Sequence, residues 1–239
     1  MFKSFEKINN FENKGSVLEY EYLNEINKNA YSQAVDEYQH PELYKIENTA
    51  DAERVFLRKN AEKRDYADSF KDNSYINFKD AMQIVEKCQP GNPEAPSAVF
   101  AGALRKEIAN ILGGEYRVKF FTAVGSHLDT KHGVDAFIKV YNQENQELNQ
   151  VTIDISTSDK GFTKANLLIV ISQEERDLYD FDSNNFNKDK FINRIKSEAL
   201  NIVQILKNQV KDGQSVRAHS ENEASRKKRP RISKPWPVN

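Results

Sequence analysis

Between Tyr116 and Ile171 the chain carries four short runs rich in β-branched and aromatic residues: Tyr116 to Val124, Val134 to Tyr141, Val151 to Thr157 and Asn166 to Ile171. Gly125, Gly133 and Gly161 fall between them. Runs of this length and character are expected as strands, with the glycines in the turns. A sheet this small needs helical cover to bury its apolar face. Cover is available on both sides in sequence. Ser97 is placed to cap a helix whose Phe100, Leu104, Ile108 and Ile111 form one stripe, ended by Gly113 and Gly114. A last helix is expected from about Lys188 to Val210, with Phe191, Ile195, Ala199, Val203 and Leu206 on one face and Gly213 just beyond. The simplest pairing is an antiparallel meander, and the fold class is α+β: a small, mainly antiparallel sheet flanked by helices, with a helical N-terminal region.

That N-terminal region reads as helices joined by polar turns. One helix is expected from Ser16 to about Gln39, with Leu18, Tyr22, Ile26, Ala30 and Ala34 at four-residue spacing, ending before His40 and Pro41. A second runs from Thr49, with Glu53 near the capping-box position, toward Phe70. A third, Asn77 to Lys87, carries Phe78, Ala81, Met82 and Val85. These helices cover a core or bind a partner, and none carries an assignable catalytic constellation. Three of the seven prolines fall in Gln89 to Pro96, which must be extended or looped. The division expected is a helical region 1–88, a linker 89–96, an α+β core domain 97–213 and a disordered basic tail 214–239.

Composition excludes several classes. Charged residues make up 30% of the 239, and no apolar run approaches the roughly 20 residues of a membrane-spanning helix. The first ten residues lack the apolar stretch of a secretory signal, and the single cysteine, Cys88, excludes an internal disulfide framework. A cytoplasmic protein with no membrane partner is expected. From Ser215 to Asn239 there are seven Lys or Arg against two Glu. Within that tail Arg226, Lys227, Lys228, Arg229 and Arg231 would attract phosphate backbones, and Trp236 could stack on a base. A solubilising or protein-docking tail fits the same residues.

Strand parity gives the sharpest site signal. Side chains alternate across a strand, so Asp135, Phe137, Lys139 and Tyr141 share one face, as do Thr152, Asp154 and Ser156 on the next. A hairpin across Asn142 to Gln150 with the aliphatic faces together makes Asp135 and Asp154 close neighbours. Two adjacent carboxylates repel unless a cation, a shared proton or a basic group compensates, and oxygen donors of this kind suit Mg²⁺ or Mn²⁺. Glu107 borders the apolar stripe of the preceding helix and adds a third acid. A helix bearing Glu, a strand bearing Asp and a following strand bearing an acid-x-basic triplet together resemble the PD-(D/E)XK nuclease superfamily. The matching positions are Glu107, Asp135 in Gly133-Val134-Asp135, and Asp154 in Asp154-Ile155-Ser156.

The resemblance implies that the acids hold one or two divalent ions, which polarise a phosphodiester and activate water, with a lysine stabilising charge. Ser156 stands where the motif has lysine, so that cation must come from elsewhere: Lys139 shares the face, and Lys160 and Lys164 follow the strand. The function expected is divalent-metal-dependent phosphodiester hydrolysis, with Asp135, Asp154 and Glu107 as metal ligands and Lys139 as the basic group. The rival is a non-catalytic module binding nucleic acid or protein, its two aspartates solvated or paired with Lys139 on an open sheet face. The loop from Gly125 to Gly133 adds His127, Asp129 and His132, which match no defined metal spacing and are expected to overhang any active site. Cys88 reads as a packed thiol. Neither a Gly-x-Ser-x-Gly elbow nor a phosphate-cradling glycine loop is present.

Overall fold

The structure, a computed structural model, describes residues 14–44, 75–179 and 185–226. Helices α1 (Lys14–Leu23), α2 (Lys28–Gln39), α3 (Pro41–Tyr44), α4 (Phe78–Lys87) and α5 (Val99–Leu112) precede strand β1 (Arg117–Thr122). Helix α6 (His127–His132) links β1 to β2 (Ala136–Tyr141), followed by β3 (Glu147–Ser156), β4 (Leu167–Val170), α7 (Gln173–Tyr179) and α8 (Lys188–Arg226). The expected helix from Thr49 toward Phe70 lies outside the described residues, as do Lys227, Lys228, Arg229, Arg231 and Trp236. No helix among the described residues is long and apolar enough to cross a membrane.

The four strands form one sheet in the order β1-β2-β3-β4. β1, β2 and β3 are the expected antiparallel meander, but β4 pairs with β3 in parallel, from Ile153↔Leu167 to Ser156↔Val170. The sheet is therefore mixed. Parallel pairing requires the connection to run back along β3, which a helix usually does. Here residues 157–166 do it as a loop, tied down by side chains. Asn166 Oδ1 accepts from the Thr152 N–H at 3.0 Å and its hydroxyl at 2.9 Å, while the Asn166 N–H donates to Thr152 Oγ1 at 2.9 Å. The β2–β3 turn is shorter than expected, because Glu147 already pairs with Tyr141. Asn142 Oδ1 closes it by accepting from the N–H groups of Glu144 and Gln146.

Both sheet faces are covered. One packs Val118, Phe120, Ala136, Ile138, Ile153, Ile155 and Ile169 against Phe100, Leu104 and Ile108 of α5 and Phe191, Ile195, Ala199 and Val203 of α8. On the other, Phe121 and Phe137 stack with ring centroids 4.9 Å apart beneath Tyr31 and Val35 of α2 and Ala81, Met82 and Val85 of α4. The N-terminal helices thus share a core with the sheet. The 89–96 loop runs beside β1 and shields its edge: Pro93 O accepts from the Phe120 N–H, and the Gln89 amide pairs with both backbone groups of Thr122.

Three helix boundaries differ from expectation. The first helix is two, because Asn24 adopts φ 60 and breaks the run; Leu18 and Tyr22 then pack on the α5 side, Ile26 and Tyr31 on the opposite side. Asn27 restarts the helix by accepting from the Ala30 N–H. Ser97 does not cap α5; its hydroxyl accepts from Asn24 Nδ2 at 2.8 Å, and Ala98 occupies the cap position with no side-chain bond. Finally, α8 runs past Val210 and Gly213 to Arg226. Gly213 costs a helix only about 1 kcal/mol, and helix formers follow it, with the next proline at position 230.

Candidate functional site

One end of the sheet collects the titratable groups. There β1 ends, β2 begins and β3 ends; α6 bridges β1 to β2, and the α1–α2 turn crosses from one face of the sheet to the other. Asp135 immediately precedes β2 and is 4% exposed, while Asp154 on β3 is 5% exposed. An open, solvated sheet face is therefore not their setting. The register Ala136↔Ile153 makes them cross-strand neighbours. Asp135 also has a structural role: its Oδ2 accepts from the Ile155 N–H at 2.7 Å, and its own N–H donates to Ile153 O at 2.9 Å.

Asp154 is paired by side chains of the crossing loop. Lys160 Nζ lies 3.0 Å from Asp154 Oδ1, and the Thr163 hydroxyl donates to Oδ2 at 3.0 Å. A lysine six residues beyond Asp154 thus reaches the carboxylate beside the position held by Ser156. Burial pulls the Lys160 ammonium down, but its hydrogen bond to Asp154 and the charges of Asp154, Asp135 and Glu19 outweigh that and hold it above the usual lysine value.

Two further acids join Asp135. Asp129 lies in the first turn of α6, started by Ser126, whose Oγ accepts from the Leu128 and Asp129 N–H groups. The Asp129 carboxylate in turn accepts from the Gly125 N–H at 2.9 Å. Glu19 comes from α1, next to the buried Leu18 that anchors that helix on the sheet. One carboxylate oxygen from each of Glu19, Asp129 and Asp135 lies within 4.8 Å of the other two. Burial, then repulsion from Asp129, pushes Glu19 up to about 7. Burial, then the Glu19 charge, pushes Asp135 up to about 8. Asp129 is raised as well, first by burial. Three hard oxygen donors that resist simultaneous ionisation suit a divalent cation, and protons fill that role when no cation does.

Other sequence-indicated residues lie elsewhere. Lys139 is held between Glu86 Oε1 and Glu147 Oε2, each 2.7 Å away, and takes no part in the acidic cluster. Glu107 sits on α5, across the sheet from Asp135 and Asp154, and accepts from Asn110 Nδ2 at 3.4 Å. Arg226 is the last residue of α8. His127 Nδ1 bonds to the Tyr31 hydroxyl at 2.8 Å, and burial lowers its proton affinity. His132 Nε2 meets Ile76 O at 3.0 Å. Both histidines therefore pack the loop against α2 and the start of α4. Cys88 is 1% exposed, and burial pushes its thiol up to about 11.

Glu19 had no local signal in the sequence. It precedes Asp135 by more than a hundred residues and differs from other helix-stripe acids only in where its helix docks. No known protein family, curated protein or solved structure matches the chain.

Proposed function

We propose that this end of the sheet is a divalent-metal-dependent phosphodiesterase site acting on nucleic acid, of PD-(D/E)XK-like type, with Mg²⁺ or Mn²⁺ held by Glu19, Asp129 and Asp135. The observation that carries the reading is the meeting of those three carboxylates beside a buried aspartate that grips a lysine. A divalent ion there would polarise the phosphodiester and lower the pKa of a bound water. The chain's own residues supply the rest. Asp135 is oriented by the Ile155 N–H and would be one of the carboxylates that hold the ion. Asp154 holds Lys160 so that its ammonium, about half exposed, offsets charge developing on the phosphoryl oxygens. Lys160 would supply the cation that the motif strand, with Ser156 in the lysine position, does not.

The test is cleavage of single- and double-stranded DNA and RNA with Mg²⁺ or Mn²⁺, comparing wild type with Asp135→Asn, Glu19→Gln and Asp154→Ala. Metal-dependent cleavage by wild type, lost by about a hundredfold or more in each variant, is expected. Failure of wild type to cleave any of the four substrates with either ion would favour the non-catalytic binding module. Cleavage equal in wild type and Asp135→Asn would place the chemistry elsewhere.

A further inference from the structure

The loop that delivers Lys160 also presents an aromatic ring. Phe162 is 76% exposed, the most exposed large apolar side chain among the described residues. The backbone that carries it is nevertheless tied down. Lys160 and Thr163, on either side of it, both bind the Asp154 carboxylate, and Asn166 is bonded to Thr152. Gly161, at φ +65, makes the turn that aims residue 162 outward, a conformation that costs a side-chain-bearing residue energy. One exposed aromatic is ordinary on a protein surface; what distinguishes Phe162 is that the turn bearing it is tied down on both sides. Two exposed lysines belong to this part of the surface: Lys164 is two residues on in the same loop, and its Nζ lies 3.5 Å from the backbone oxygen of Lys131, itself exposed, while the exposed Asp159 accepts from the Gly161 N–H within the turn.

An exposed aromatic ring on a loop that also carries Lys164, two residues from the cation at the candidate site, is complementary to a nucleobase attached to a phosphate backbone. We infer that Phe162 is a base-stacking platform and that the substrate is an unpaired strand, its phosphates passing Lys131 and Lys164 on the way to the acidic cluster. The inference rests on the phosphodiesterase reading for its substrate class. Strand preference follows from geometry: in a duplex both faces of an internal base are covered by its neighbours, so a ring fixed on a turn stacks only after that base leaves the helix. Lysine contacts to phosphate carry no such preference.

The experiment is fluorescence anisotropy on the full chain, in EDTA so that no cleavage occurs, with a labelled 20-nucleotide DNA strand, the same sequence as RNA, and its blunt DNA duplex. Wild type is expected to bind the single strands more tightly than the duplex. Phe162→Ala should weaken single-strand binding about tenfold or more, leaving the duplex nearly unchanged, and Phe162→Trp should restore it. Lys131→Glu with Lys164→Glu should weaken all three probes and flatten the salt dependence. Single-strand affinity unchanged in Phe162→Ala, a duplex bound as tightly as the single strands, or no binding of either single strand would each overturn the inference. Because binding is read without metal, a chain that stacks unpaired strands but never cleaves them would sink the phosphodiesterase reading and leave this one standing. Cleavage indifferent to Phe162 would do the reverse.

Discussion

Lys160 and Lys139 are both lysines beside buried strand positions, and their partners give them opposite roles. Lys160 binds one carboxylate and keeps its ammonium partly in water. Replacing it with Ala should cost about 1–3 kcal/mol of stability, since Asp154 is 5% exposed and loses its cation, and reduce metal-dependent turnover about a hundredfold. Lys139 is enclosed by Glu86 and Glu147. Lys139→Met should leave those acids facing each other and destabilise the fold by about 1–3 kcal/mol, with metal affinity unchanged. Turnover corrected for the folded fraction, measured with thermal unfolding on the same two variants, separates these outcomes. The acids make a pH prediction as well. Glu19 and Asp135 titrate near 7 and 8 in the folded chain, far above their unfolded values. Between about pH 4 and 8 the folded state therefore binds more protons than the unfolded state, and stability contributed by the protonated acids is lost as pH rises through the folded values. Without metal, the denaturation midpoint should fall from pH 5 to pH 8. Mn²⁺ should recover stability at pH 8 and have little effect at pH 5, because it competes with those protons. A metal-free midpoint that rises over this range would contradict the assignment.

At the level of elements, the crossing loop 157–166 decides the site, and its pairing was the least legible part of the sheet. Four β-rich runs with glycines between them mark the strands, but nothing periodic in ten mostly polar residues with a single glycine distinguishes a turn from a crossover. The information sits in single side chains: Asn166 and Thr152 exchange hydrogen bonds across the return, and Asp154 holds Lys160 and Thr163. Thr152 is 5% exposed, so Thr152→Val keeps its volume while removing both hydroxyl bonds. That change should cost about 1–2 kcal/mol. If the loop positions the lysine, the same variant should also lower turnover, whereas a drop in stability with turnover intact would separate loop anchoring from chemistry. The α1–α2 break was equally hidden, because an unbroken four-residue spacing from Leu18 to Ala34 spans a turn marked only by two asparagines, Asn24 in a left-handed conformation and Asn27 as the cap of α2.

Over the whole molecule, what the sequence revealed and what it hid divide by contact range. Strand faces, the α5 and α8 stripes and the adjacency of Asp135 and Asp154 follow from local periodicity, which is set by backbone geometry. Glu19 does not, because its place depends on a helix docking across the end of a sheet formed a hundred residues later. The sequence placed the third acid on α5, the helix immediately before β1, where Glu107 borders the stripe; the fold turns that helix to the opposite face and brings α1 to the acidic end instead. The N-terminal helices thus do more than cover the sheet, since they complete the acidic cluster. The central claim is that this cluster holds a divalent ion, and it is tested most directly by isothermal titration of Mn²⁺ into wild type and Asp135→Asn at pH 8. Asparagine preserves volume and can still accept from the Ile155 N–H, so folding is spared while the charge is lost. Binding of a single Mn²⁺ per chain by wild type, abolished in Asp135→Asn, is the predicted result; no binding by wild type, or equal affinity in the variant, would contradict the account.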